Sequence, residues 1–463
     1  MENDSTFAGL ISTLRSAVDE LSPGDRLPSS RVLVERYRVS PVTVARAVAQ
    51  LAAEGAVVTR PGSGTYVAPR ARAAKDTIDT GWQTVALTDR AVDIRSLSDA
   101  LSPVLPGSIL LDGGYLHRSL QSGNALSAAL ARAGRRPDAW ERTPPNGLPE
   151  LRAIFAAYTG LAADDVLITA GGQSALSMAF RAIAAPGSPI LVESPTYPGA
   201  LAAARAAGLR PVPVPIDEEG LRPDLLADAF AMTGARVLFC QPCYQNPTGA
   251  TLSADRRKQI LDIARASGAF VIEDDFARHL AHHETPPRPL ITDDRDGHVV
   301  YVTSLSKPAA PSLRIGAIIA RGPVMERLRA IRQVDDFFIT RPMQEATLEL
   351  LSSPAWDRHL RVLSVALRDR CRDLSQAIAH HCPNWTVSRP AGGLHLWVTL
   401  PPGVDDTALA NAARQQLVTA CVGRRYFAAE PPGAYLRLSF AEAADSSELA
   451  EGARRLGAAS LRG

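Results

Sequence analysis

Along the first seventy residues apolar positions recur at helical spacing three times, and then begin to alternate. Leu10, Ile11, Leu14, Val18 and Leu21 mark a first helix from about Phe7, ended by Ser22-Pro-Gly-Asp25. In Leu27-Pro-Ser-Ser-Arg31, Ser29 or Ser30 can cap a second helix that runs through Tyr37. Ser40 then caps a third, Pro41 takes its first position, and Gly55 stops it after about Glu54. Residues 56–60 and 64–67 alternate like two short strands joined by Pro61-Gly-Ser-Gly64. Three helices and a hairpin make a winged helix-turn-helix, whose third helix enters a DNA major groove and whose wing follows the backbone.

Residues 68–76 are polar and basic without apolar periodicity, as suits a tether, and residues 82–105 are expected to add a helix that docks on the large domain. From Ile109 onward helical and strand-like segments alternate, which predicts an α/β fold with a mostly parallel sheet. Apolar runs at 166–170, 237–240, 269–272, 298–303 and 315–320 read as buried strands. Each borders a loop of small or polar residues, and the candidate chemistry lies in those loops.

The chain has three lysines, Lys75, Lys258 and Lys307, while arginine supplies almost all its positive charge. Lys307 stands in Ser304-Leu-Ser-Lys-Pro-Ala-Ala-Pro-Ser-Leu-Arg314, between two of the predicted strands. A desolvated amine can lose its proton and condense with an aldehyde, which a guanidinium cannot do. Ser304, Ser306 and Arg314 surround that amine with phosphate-binding groups. The simplest cofactor with both an aldehyde and a phosphate is pyridoxal 5'-phosphate (PLP).

Other loops complete such a site. Gly172 and Gln173, between a predicted strand and a helix, suit an anion on backbone amides. Tyr197 can stack on a pyridine ring, and Asn246 in Asn-Pro-Thr-Gly249 can donate to its phenolic oxygen. Asp274, at the end of an apolar strand, is costly unless paired, and a protonated pyridine nitrogen would pair it. Cys240-x-x-Cys243 has redox spacing without a redox context, and His282-His283-Glu284 is expected to be a polar loop with no metal.

Composition changes this picture little. The chain's 463 residues suggest about three structural units, and 46% apolar with 21% charged residues is ordinary for a soluble globular protein. No secretory signal or membrane-length apolar run is apparent, and five cysteines make no disulfide framework, so a cytoplasmic setting is expected. Within residues 1–69 seven arginines balance seven acids, so DNA affinity must come from charge placed on one face and from dimerisation.

The string LPSSRVLVERYRVSPVTVARAVAQLAAEGAVVTRPGSGTYV closely resembles the DNA-binding domain of the GntR family. The resemblance implies DNA contacts from Arg31, Ser40, Thr43, Arg46, Arg60, Gly62 and Ser63. Many relatives have Ser-Arg-x-Thr where this chain has Ser40-Pro41-Val42-Thr43. The order Gly-Gly-Gln, Pro-Thr-Tyr, Asn-Pro-Thr-Gly, Asp-Asp and Ser-x-Ser-Lys-x6-Arg resembles fold type I aminotransferases. In that family the arginine of Tyr435-Leu-Arg-Leu-Ser-Phe440, here Arg437, grips a substrate carboxylate. Where the family has a tyrosine after its Asp pair, this chain has Phe276.

The whole resembles the MocR subfamily of GntR-type regulators: a winged helix-turn-helix at 1–68, a linker at 69–107, and an aminotransferase-like body at 108–463 with a small subdomain at about 325–463. That resemblance implies a homodimer that binds promoter DNA, holds PLP as an internal aldimine on Lys307, and senses an amino compound or PLP itself. The alternative is a working aminotransferase with an accessory head, in which Lys307 is also the catalytic base.

Overall fold

The helix periodicity near the N-terminus resolves into α1 (Glu2–Glu20), α2 (Ser30–Tyr37) and α3 (Pro41–Ala53), followed by the antiparallel strands β1 (Val57–Arg60) and β2 (Gly64–Val67). The computed structural model describes residues 2–60, 64–68, 80–87, 105–283 and 285–461. Ser29 caps α2 through Val32 N, and Ser40 caps α3 by accepting from Thr43 N at 3.1 Å, with Pro41 at the first position. Leu10, Leu14, Leu33, Val44, Leu51 and Val57 bury one common core. Each such leucine removed from water contributes roughly 1.5–3 kcal/mol, which lets a unit this small fold.

Because the α3 cap closes an orphan amide, Ser40→Ala is expected to cost about 1 kcal/mol in this unit. The measurement is the urea midpoint of the unit's own transition in the full chain; an unchanged midpoint would refute the cap's role.

The chain divides into two compact units, Met1–Ala91 and Val92–Gly463. Of the helix expected within 82–105, Gly81–Ala86 is helical with Trp82 and Val85 exposed, and residues 88–104 lie outside the described ones. Of the tether expected at 68–76, Ala68 instead packs on the first unit, buried and donating through its N to Ala56 O at 3.0 Å, while residues 69–76 and the wing tip with Gly62 and Ser63 lie outside the described ones.

In the second unit the chain begins with the short strand β3 (Ile109–Leu110) and then builds an eight-stranded sheet. Its strands are β4 (Val166–Thr169), β5 (Pro189–Ser194), β6 (Arg210–Asp217), β7 (Gly220–Leu221), β8 (Val237–Cys240), β9 (Phe270–Asp275), β10 (Val299–Ser304) and β11 (Gly316–Ile319). Their order is β4-β11-β10-β9-β8-β5-β6-β7. The run β10-β9-β8-β5-β6 is parallel, while β11 is antiparallel to both β10 and β4, and β7 to β6. Strands β4, β8, β10 and β11 are buried throughout, as the continuous apolar runs require of a sheet covered on both faces.

A second, four-stranded sheet has the order β12 (Thr386–Val387), β13 (His395–Thr399), β16 (Tyr435–Ser439), β15 (Cys421–Val422). Strand β14 (Val418–Thr419) pairs in parallel with β3, which ties the start of this unit to its C-terminal part. The C-terminal ends of β4, β5, β8, β9 and β10 share one edge of the large sheet, the usual crevice for a ligand in an open α/β sheet. Among the described residues no helix is long and apolar enough to cross a membrane.

Candidate functional site

At that edge lies a cavity of about 400 Å³. Its wall contains Lys307, Asp274, Asn246, Tyr197, Gly172, Gln173, Ser304, Ser306, Arg314 and Arg437, so residues spread from 172 to 437 converge on it. Phe276 lines the same cavity and offers no hydroxyl.

The turn after β10 sets Lys307, with Leu305 N donating to Ile315 O at 3.0 Å. Its Nζ donates to Gly114 O at 2.6 Å and sits 3.7 Å from the centre of the Tyr115 ring. Burial, with the cations of Arg437 and Arg314, brings the amine down to about 7 against the attraction of Asp274 and Glu442. An amine so placed is neutral in a large fraction near neutral pH, as a nucleophile must be.

Asp274 is 4% exposed at the end of β9 and accepts from Gln241 Nε2 at 2.8 Å. Burial pushes its carboxyl up to about 7, and Asp275 adds to the rise. Without a cationic partner, a carboxyl there resists ionisation. Asn246 is also buried; its backbone amide donates to Gln241 Oε1 at 3.1 Å. Gln241 therefore orients both groups, one through each end of its amide.

The loop after β4 places Gly171 at φ +85° directly before the helix Gly172–Ile183. A Cβ on Gly171 would lie 2.8 Å from the Arg314 guanidinium, so glycine is required both for the backbone and for the close approach. No side chain caps that helix. Arg314 donates to Ser306 Oγ at 3.2 Å and to Ala170 O at 2.9 Å, and Ser306 N donates to Ser304 Oγ at 3.2 Å. A helix N-terminus, two hydroxyls and a guanidinium thus face one corner of the cavity, a cradle for a phosphate dianion. Tyr197 donates to Gln173 Oε1 at 3.1 Å, and Gln173 Nε2 donates to Gly199 O at 2.8 Å, which fixes the ring in the wall.

These groups fit PLP. Lys307 would meet its aldehyde, Asp274 its pyridine nitrogen, Asn246 its phenolic oxygen, and the Gly172, Ser304, Ser306 and Arg314 corner its phosphate. PLP supplies an electron sink for bonds at an amine's α-carbon. The buried Asp274 carboxyl in the cavity wall, hydrogen-bonded to the neutral Gln241 amide, is the observation that carries the fit, because a cationic ring nitrogen would give it a charged hydrogen-bond partner.

Arg437, on β16, is buried, and it is already engaged. Its NH2 donates to Asp112 O at 2.5 Å and Gly113 O at 3.0 Å, its NH1 to Asn246 Oδ1 at 3.4 Å, and its Nε has no partner. Several wall groups escaped the sequence reading: Asp112–Tyr115, Gln241, His395 and Glu442. The Gly113-Gly114 pair after an apolar run and the lone histidine in Gly392-Gly-Leu-His-Leu-Trp397 were available signals. His395 Nε2 lies 3.2 Å from Gly113 O, and burial holds its imidazole well below the usual range.

In the first unit, Arg31 lies in the first turn of α2, and Ser40 and Thr43 open α3 with their hydroxyls 2.8 Å apart. The Arg46 guanidinium lies 4.6 Å from the Phe7 ring centre, and that of Arg60 5.1 Å from Tyr66. Arg15 is paired with Glu54 at 2.9 Å. Elsewhere, Cys240 and Cys243 are free, buried thiols pushed up by desolvation, in keeping with packing. No group of residues that could hold a metal ion occurs among the described residues, and His282 is buried with Nε2 3.1 Å from Gly393 O.

Residues 113–456 match the model of the family described as aminotransferase class I and II, and residues 12–67 match bacterial regulatory proteins, gntR family. The chain is 32% identical to a 2-aminoadipate transaminase of Thermus thermophilus over 76% of its own length and 90% of that protein's. It is 28% identical to the HTH-type transcriptional regulator YdfD of Bacillus subtilis over 94% of this chain and 91% of that one. Similarity to the regulator TauR of Rhodobacter capsulatus is 29% over 88% and 86%. Among solved structures, LysN, an alpha-aminoadipate aminotransferase from Thermus thermophilus complexed with N-(5'-phosphopyridoxyl)-L-leucine, aligns with TM-score 0.76 and 30% identity over 82% of this chain and 97% of that one. A cavity built at the strand ends of a fold type I body and a capped helix-turn-helix at the N-terminus thus meet in one chain, which belongs to the aminotransferase class I and II family and, with its gntR-family segment, to the MocR type of regulator.

Proposed function

We propose that this protein is a cytoplasmic, homodimeric transcription regulator that binds promoter DNA through residues 1–68 and, through the body at 108–463, takes PLP and a carboxylate-bearing amine. Residues 69–107 join the two, and the small subdomain begins near 325. The observation that carries the reading is the conjunction of a gntR-family segment with a cavity that keeps Lys307, Asp274, Asn246 and the phosphate corner intact. Arg437 gives the preference for a carboxylate, since its donors can take two oxygens at once.

The test follows PLP absorbance and promoter binding in the same samples, before and after PLP and a panel of amino acids. A visible band that responds to one amine, together with altered DNA affinity, is expected; no band at any PLP concentration would overturn the cofactor half. For the DNA half, Arg31→Ala is expected to weaken promoter binding and to reduce the slope of log affinity against log salt by about 1. An unaltered slope would mean that Arg31 meets no phosphate.

The intact cavity also favours a second reading, slow transamination, with Lys307 as the group that moves the proton. Conversion of a keto acid by protein loaded with the pyridoxamine form would support it, and complete inertness toward a panel of keto acids would remove it.

A further inference from the structure

In the free protein the cavity's cations are held by the chain itself. Asp112–Tyr115 crosses the cavity wall, and three successive carbonyls of this segment are occupied. Arg437 donates to the oxygens of Asp112 and Gly113, and Lys307 donates to that of Gly114 at 2.6 Å. Tyr115 adds its ring face, 3.7 Å from the Lys307 amine. These contacts use the two groups that PLP and a carboxylate would need.

The segment is fixed on both sides, and between its anchors it is held by side chains: Asp112 Oδ1 accepts from Thr419 Oγ1 at 2.6 Å, and His395 Nε2 lies 3.2 Å from Gly113 O. Before it, β3 pairs with β14 and Leu111 N donates to Thr419 Oγ1 at 3.2 Å. After it, His117 N donates to Ala441 O at 2.7 Å. Between these anchors stands the Gly113-Gly114 pair, and a Cβ on Gly113 would lie 1.4 Å from the Glu442 carboxylate, so only glycine seats there without moving that side chain.

We propose that residues 112–115 form a strap that occupies Lys307 and Arg437 in the free protein and is displaced when PLP and a carboxylate-bearing amine bind. A carbonyl offers a buried guanidinium no countercharge, whereas a carboxylate supplies one and can take two of its donors in parallel. Both the carbonyl of Gly114 and the Tyr115 ring favour the charged amine, so condensation at Lys307 requires it to leave them. This inference rests on the PLP reading of the cavity.

The experiment is hydrogen exchange on the full chain alone, with PLP, and with N-(5'-phosphopyridoxyl)-L-leucine, a stable conjugate that needs no condensation. Exchange in a peptide spanning 109–117 is expected to quicken at least tenfold with the conjugate; exchange that is unchanged or slowed while the conjugate is bound would overturn the strap alone. Failure of both compounds to bind overturns the PLP reading and the strap with it. Gly113→Ala is expected to tighten conjugate binding severalfold, by weakening the seated strap, and weaker binding would count against displacement. Should that variant not fold, Tyr115→Ala, at a residue 39% exposed, is expected to speed PLP association severalfold, and slower association would refute the competition.

Discussion

Lys307→Ala will abolish the visible absorbance that the protein acquires with PLP while leaving the urea midpoint of the unloaded protein essentially unmoved. The absorbance depends on a covalent bond between the cofactor's aldehyde and one particular amine. Lys258 is exposed and paired with Asp262, and Lys75 lies outside the described residues, so among those described no second amine lines the cavity. The loss should therefore be complete. Stability should hold because Lys307 is a poor contributor to it: burial and two neighbouring guanidinium groups already disfavour its charge. Lys307→Arg is the informative control, since it keeps a cation under Gly114 O and still cannot condense. Retained absorbance in either variant would move the cofactor attachment elsewhere.

The same amine sets a pH dependence. Its native value of about 7 lies below the 10.5 of a free lysine, so PLP association should quicken as pH rises through about 7 and level off well before 10. In stability the sign is the same. The unfolded chain binds more protons between 7 and 10.5, so this group's contribution is lost as pH falls toward 7. Stopped-flow absorbance across pH 6–9 checks the first claim; a rise centred near 10 would mean that Lys307 is not desolvated before PLP arrives.

What could be read from the sequence was what local pattern dictates. Lys307, Asp274, Gly172 and Asn246 each follow or end a continuous apolar run, and a parallel sheet delivers such ends to one edge. Ser40 and Pro41 announced α3 by capping chemistry alone. The strap could not be read this way. Its partners Arg437, His395 and Glu442 lie about three hundred residues later, and long-range pairing, of β3 with β14 and of Ser439 N with Leu111 O, brings them together. Nor does sequence pattern show that Arg437 meets backbone carbonyls in the free protein. A guanidinium on an apolar strand says that an oxygen partner is needed, without saying which oxygen.

The Asp274-Asp275 pair shows how one strand serves chemistry and stability together, and it yields the largest stability effect expected. Successive residues of a strand face opposite ways. Asp274 lines the cavity, while Asp275, 1% exposed, turns from it to accept from Arg278 Nε and, at 2.9 Å, from Tyr301 OH. Burial opposes the charge of Arg278, but the Asp275 carboxylate outweighs it and holds the guanidinium firmly protonated. Arg278→Ala would leave that carboxylate buried with no cation, beside Glu273, whose own carboxyl burial has raised to about 7. The cost should be about 3–5 kcal/mol, read from urea unfolding of the body. Adding Asp275→Asn removes the orphaned charge and should restore a large part of the loss, and that restoration is the sharper test. If the double variant were as unstable as Arg278→Ala, the contribution of Arg278 would lie in its bond to Pro287 O and its packing, and the ion pair would not be what anchors the strand behind Asp274.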